Sequence, residues 1–307
     1  MIRRPVLLLA LAGGILAVST GAIFVKAAQQ TTPSLSVAAG RLLFATLVLA
    51  PVALTRHRAE LARLTARDLL PLALSGLFLA LHFATWIVSL EHTSVASSVV
   101  LVTTTPLWVG LLAPFVLRER LTRRLALGIV LALAGGVVVG FSDAGRQAAA
   151  GAVRGGPALF GDLLALTGAW GMAGYLMVGR RLRARLTLVP YVFLVYGTAA
   201  IVLVALMAAS GGSLIGLPPV SYLWLVLLAL VPQLVGHSTY NWALRYLPTS
   251  FVAIAMLGEP VGATVLAFVF LGEVPGPVRL AGAALLLAGI AIAATETPED
   301  EMAAAAR

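Results

Sequence analysis

The chain contains no cysteine, which excludes disulfides, thiolate metal sites and cysteine nucleophiles. Charge is scarce: 11% of the 307 residues are Asp, Glu, Lys or Arg, against about 25% in a typical soluble domain. With 60% hydrophobic residues and a mean hydropathy of +1.01, too little charge remains to cover a water-facing surface. The outer surface is therefore expected to face lipid. Catalytic signatures are missing as well. There is no G-x-x-x-x-G-K-[ST] phosphate loop, no H-E-x-x-H, no G-x-S-x-G and no cluster with metal-ligand spacing. No cofactor, no metal and no enzymatic activity are expected. Lys26 is the only lysine among 21 basic residues. The net charge of +9 does not point to nucleic acid, because the basic residues sit in short clusters between apolar stretches.

Ten apolar stretches are present, at 5–28, 33–55, 69–90, 93–117, 122–141, 157–179, 188–209, 221–244, 248–272 and 276–295. Each is long enough to cross about 30 Å of hydrocarbon as a helix. Helices are required because an unpaired backbone group is too costly in lipid. The first stretch follows Arg3 and Arg4 as a signal peptide does, but it is too long and nothing soluble follows it, so it is read as a permanent span. If the N-terminus is cytoplasmic, 16 arginines fall on inside segments and three, Arg146, Arg154 and Arg279, on outside loops. This asymmetry predicts both termini in the cytoplasm of a multi-pass cell-membrane protein. Residues 296–307 form an acidic tail that counts little toward orientation.

A shift of 154 residues lays part of the chain on itself. Pro106, Leu117, Glu119, Gly128, Leu131, Ala134 and Gly135 fall on Pro260, Leu271, Glu273, Gly282, Leu285, Ala288 and Gly289. The repeat divides the chain into 5–141 and 157–295, five spans each. An odd number of spans inverts the second copy in the membrane. The predicted class is an all-α membrane protein of ten transmembrane helices in two inverted five-helix repeats. The paired glycines, seven residues apart, share one helix face and are expected to let backbones approach closely; a hinge is the alternative role.

The run Pro106-Leu-Trp-Val-Gly…Leu117-Arg-Glu119-Arg-Leu-Thr…Gly128…Gly135 resembles the second half of the EamA domain, from the drug/metabolite transporter superfamily. Gly258-Glu-Pro260-Val…Leu271-Gly-Glu273…Gly282…Gly289 is similar to it too. Gly13 to Ala27 and Gly40-Arg41-Leu-Leu-Phe look like the first two helices of that domain. The resemblance covers 5–295 as two EamA units. It implies a ten-helix carrier of amino acids, drugs or other metabolites, in bacteria often an exporter. The Trp-Gly pair common in the first helix is Thr20-Gly21 here; the sixth stretch keeps it as Trp170-Gly171.

Charged residues at bilayer depth are candidates for function. Glu259 lies about 17 Å along the ninth stretch, directly before Pro260, which cannot donate a backbone hydrogen bond. Its counterpart in the first repeat is Thr105, before Pro106, so the carboxylate appears in one half only. Glu259 is expected to face a central cavity and bind a substrate amine or a coupling proton; the alternative is a purely structural ion pair with Arg41. Lys26, near the end of the first stretch, is expected to snorkel to the interface. His82 with Trp86 one turn on, and His237 with Asn241 one turn on, form two polar faces that either turn inward to relay protons or only pack. Trp170 and Tyr175 either line the cavity or belong to the core; Tyr240 and Trp242 are candidates for an aromatic belt. Thr103 to Thr105 before Pro106 make a candidate polar kink. Asp162 is expected to cap a helix end at the interface. Together these residues point to a secondary transporter of a small molecule, working by alternating access in the lipid bilayer, with export preferred. The alternative class is a passive channel or a lipid-processing membrane enzyme. The residues say nothing of oligomeric state.

Overall fold

The computed structural model describes residues 4–93, 95–119, 121–149, 158–271 and 274–295. No strand occurs among them. Among the described residues the helices follow one another as ten rods. The first is α1 (Arg4–Ser19) with α2 (Gly21–Gln29), and the second is α3 (Ser34–Arg56), followed by the short α4 (Arg58–Leu61). The third rod is α5 (Ala66–His92), the fourth α6 (Val95–Val102) with α7 (Thr105–Val116), and the fifth α8 (Arg123–Ala149). The second repeat continues with α9 (Ala158–Arg183) and α10 (Leu188–Ala209). The eighth rod joins α11 (Pro219–Leu228), a π-helical stretch (Ala229–His237) and α12 (Ser238–Ala243). The ninth is α13 (Thr249–Met256) with α14 (Glu259–Leu271), and the tenth α15 (Pro277–Ala294). Seven rods are both long and apolar enough to cross a membrane, and Pro277–Ala293 is apolar but shorter. Of the ten crossings expected from hydropathy, seven are therefore matched by rods long and apolar enough to span, among the described residues.

Side chains such as Phe115, Leu70 and Ile201 stand largely exposed around the outside. In water such an apolar surface would associate; against acyl chains it carries no penalty. Between helices in lipid the hydrophobic effect is weak, so close packing must hold them together. The repeated glycines supply it. A Cβ on Gly135 would lie 2.6 Å from the Gly282 carbonyl oxygen, and one on Gly289 would lie 2.7 Å from that of Gly128. All four repeated glycines thus meet at the α8–α15 seam, as the packing reading expected.

The helix pairings obey the inverted repeat. α3 packs on α10, α7 on α13 and α8 on α15, while α5 on α9 matches α1 on the π-helical stretch. Single contacts obey it too. Gly168 packs on Thr85 of α5, and Gly14 packs on Thr239 of α12; both pairs are related by the same shift of 154. Glu273, the repeat partner of Glu119, lies outside the described residues, as does the tail 296–307.

Four rods are broken, and these breaks shape the site. Thr103, Thr104 and Thr105 turn their hydroxyls back onto the carbonyls of Val100, Leu101 and Val102 at 2.9, 2.7 and 2.9 Å. Side-chain bonds of this kind compete with the helical ladder, and Pro106 follows without a donor. The break between α13 and α14 lies at Leu257–Gly258, where the amides bond three residues back, to Ile254 and Ala255 at 3.0 Å each. Two breaks were not anticipated. Thr20 separates α1 from α2, with its hydroxyl 2.7 Å from the Ala17 carbonyl. Pro232 sits in the π-helical stretch, a conformation frequent at functional sites.

Candidate functional site

Where the broken rods meet, a cavity of about 50 Å³ opens between the repeats. Its wall includes Arg41, His82, Trp86, Thr105, Pro106, His237 and Glu259, with Phe83, Met172, Val99 and Leu257 among the apolar residues. Seven of the sequence candidates therefore converge. The space holds only a few waters, so a metabolite is accommodated only if the surrounding rods separate.

Arg41 is 1% exposed. Its Nε donates to Gln233 Oε1 at 2.8 Å, and its guanidinium carbon lies 4.1 Å from the centroid of the Phe83 ring. A cation over a ring face gains from the quadrupole of the ring. The other end of the guanidinium is unsatisfied: Nη2 is buried with no hydrogen-bond partner. The Arg41–Glu259 ion pair considered from the sequence is absent, because no contact within 4.0 Å joins them among the described residues. The Glu259 carbonyl is anchored separately, accepting a bond from Ser19 Oγ at 3.0 Å. Two opposite charges thus line one cavity without a direct ion pair.

The aromatic faces behave as the spacing suggested. His82 and Trp86 stack with ring centroids 5.9 Å apart, and His237 lies edge-on to Phe83 at 5.2 Å. His82 Nδ1 donates to the Gly168 carbonyl at 2.9 Å, which leaves Nε2 as its acceptor when neutral. Trp86 Nε1 and His237 Nδ1 are buried without partners, as is the Tyr240 hydroxyl. Unsatisfied buried polar atoms are uncommon in folded proteins and call for an explanation. Three of them, with Arg41 Nη2, gather on or beside this one cavity.

Other candidates are placed elsewhere. Trp170 is 47% exposed and packs edge-on against Trp108 at 5.4 Å on the outer surface. Asn241 Nδ2 donates to the Tyr175 hydroxyl at 2.5 Å and the Tyr196 hydroxyl at 3.4 Å, in a buried network set apart from the cavity wall. The face shared by His237 and Asn241 is therefore split: one residue turns to the cavity and the other to the tyrosines. Pro260 is buried but does not line the cavity. Tyr240 is 1% exposed and does not belong to an interfacial belt; Trp242 packs on Tyr246 at 5.4 Å. Asp162, expected only to cap its helix, accepts a bond from Thr93 Oγ1 at 2.7 Å across the repeats. Gln233 was missed. Its signal was a fully apolar stretch interrupted by Pro232-Gln233, a neutral amide at bilayer depth overlooked in favour of charges. A larger apolar groove, about 460 Å³, runs between α1, α13, α14 and α15 along Leu8, Phe251, Val265 and Ile290. No polar side chain lines it to orient a solute.

The model of the EamA-like transporter family matches residues 4–141 and 159–295. A protein of Streptantibioticus cattleyicolor, named a probable terminal-alkyne amino-acid exporter, is 28% identical over 236 residues, 73% of each chain. YetK of Bacillus subtilis, described as an uncharacterized transporter, is 26% identical over 204 residues, 65% of this chain and 60% of its own length. A solved crystal structure superposes with a TM-score of 0.74 over 93% of this chain and 96% of that one; at 21% identity this likeness shows the fold alone.

Proposed function

The chain belongs to the EamA-like transporter family, and from that premise we propose that it is a gradient-driven exporter of a small amino acid or related zwitterion. It is a membrane transporter; the substrate, the direction and the cycle are our reading. The observation that carries it is the pair of opposite charges, Arg41 and Glu259, on one cavity wall without a direct ion pair, Arg41 Nη2 lacking any hydrogen-bond partner. A buried charge without a partner is costly. A zwitterion satisfies both at once, its carboxylate on Arg41 Nη2 and Trp86 Nε1 and its ammonium on Glu259. The relative named for amino-acid export supports the same class.

In the cycle we envisage, the repeats rock about the broken rods, so that the cavity opens first to one side and then to the other. Helix breaks at the midplane present backbone and side-chain polar groups to solutes in other inverted-repeat carriers. Without a phosphate loop, the energy comes from the substrate gradient or from protons taken up at Glu259. The excess of arginine on one set of loops favours the inner membrane with both termini cytoplasmic.

Reconstitution tests this directly. Saturable counterflow of a labelled amino acid is expected in proteoliposomes, with loss of at least about ten-fold for Glu259→Gln, Glu259→Ala and Arg41→Gln. Flux that rises linearly with concentration would favour a channel. Wild-type rates in both Glu259 variants would remove the carboxylate from the mechanism.

A further inference from the structure

At the end of the bundle that carries the arginine-rich loops, a carboxylate joins the two repeats. There Glu119, after α7, reaches across the seam into the second repeat. Arg180 Nε donates to its Oε1 at 2.9 Å, and the backbone amide of Thr249, first residue of α13, donates to Oε2 at 2.9 Å. The Thr249 hydroxyl adds a third bond at 3.2 Å. A carboxylate at a helix N-terminus is favourably placed for unpaired amides and dipole alike. Arg180 also donates to the Leu244 carbonyl within its own repeat, at 2.5 Å.

The same arrangement is half-present at the opposite end. Subtracting 154 from Arg180 and Leu244 gives Lys26 and Leu90. Lys26 Nζ donates to the Leu90 carbonyl at 2.8 Å. The sole lysine of the chain thus stands in the inverted position of Arg180 and makes the same carbonyl bond. Arg180 has, in addition, a carboxylate from the other repeat. Among the described residues no carboxylate lies within 4.0 Å of Lys26. Across the seam at that end the bonds come from hydroxyls, Thr31 with Ser221 at 2.8 Å, and Thr93 to Asp162.

We propose that Arg180 and Lys26 are the inverted-equivalent cations of two gates, of which the Arg180 gate is locked across the seam by Glu119 in this conformer. Lys26 serves the opposite end in the other conformer. This rests on the alternating-access reading above and adds to it which residues set the balance between the two states. A snorkelling lysine with no gating role, the alternative, contributes equally to both.

The absence of cysteine makes the test simple. A single reporter, Val99→Cys, is placed on the cavity wall. Its reaction with a membrane-impermeant thiol reagent is followed from each side of oriented vesicles. Glu119→Gln and, as a second variant, Arg180→Gln are expected to raise the labelling rate from the arginine-rich side by at least about five-fold relative to the other side, the lower end of coupling between linked states. Lys26→Gln is expected to move the same ratio in the opposite direction. Opposite signs separate gating from a loss of packing, which has no direction. Ratios that stay unchanged, or that move the same way in all three variants, overturn the gate assignment while leaving alternating access intact. Flux that rises linearly with concentration in the reconstitution described above overturns alternating access and the gates with it.

Discussion

Replacing Gly135 by alanine tests the seam on which the inverted architecture depends. A Cβ at this position would stand 2.5 Å from the Leu286 amide nitrogen and 2.6 Å from the Gly282 carbonyl oxygen. Both are backbone atoms of α15, so no side chain can rotate away. Reaching even a tight contact of 3.4 Å requires the helices to part by about 0.9 Å, and overpacking of this kind costs about 1–3 kcal/mol. Gly136, the next residue on the same helix, is the control. A Cβ added there would have Thr103 Oγ1 as its nearest neighbour, at 4.0 Å, and alanine gains the helix propensity that glycine lacks, about 0.5–1 kcal/mol. Both variants share that propensity gain, so the difference between them isolates the overpacking term. Thermal unfolding in detergent, followed by tryptophan fluorescence, is expected to place Gly135→Ala below Gly136→Ala by roughly 2 to 8 °C. By the repeat, Gly289→Ala should fall with Gly135→Ala, since its Cβ would lie 2.6 Å from the Ala132 amide nitrogen. Equal midpoints for Gly135→Ala and Gly136→Ala would refute the close backbone approach and, with it, the role given to the repeated glycines.

Two further outcomes follow from particular bonds. Gln233→Leu removes the acceptor of Arg41 Nε and leaves a buried guanidinium with one fewer partner; a hydrogen bond to a charged group contributes about 1.5–3 kcal/mol, so denaturant titration should show a loss of that size, and an unchanged midpoint would mean that Arg41 is solvated by other means. Glu60, in the short α4 between rods, is pushed up by partial burial, the largest single influence, but bonds from the Thr187 hydroxyl and amide, with His57 nearby, together outweigh it and lower its pKa from the ordinary value. A depressed folded-state value stabilises above the unfolded value of about 4.3 and is lost as pH falls through it. The stability gap between the native chain and Glu60→Gln should therefore be present at pH 7 and shrink as pH falls below the unfolded value; a gap that does not change in acid would assign it to hydrogen bonding alone.

Arginine illustrates how far the linear chain can be read. Arg180 and Arg183 count in the sequence as loop charges that fix orientation. In the fold Arg183 is 2% exposed, and its Nε donates to the Asn241 carbonyl at 2.9 Å at the end of the eighth rod. A topogenic charge near one helix end has become the cap of another. Such a role depends on a neighbour 58 residues away, and no local pattern reports it.

The sequence by itself determined the lipid-facing surface, the helical rods, the two halves and their inverted sense. Each of these depends on a short window of hydropathy, on loop charge, or on one constant spacing, and the physics of the bilayer acts on those quantities directly. It also singled out Glu259 and Arg41, because a charge at bilayer depth is conspicuous wherever it occurs. The tertiary structure alone decided which polar groups share a wall and which do not. It turned Trp170 outward, drew Asn241 and Tyr175 into a separate network, gave Arg41 to Gln233, and left Glu259 unpaired beside it. Partner choice among buried groups is set by rotamers and by how broken rods meet across the seam, where an ångström separates a hydrogen bond from an empty site.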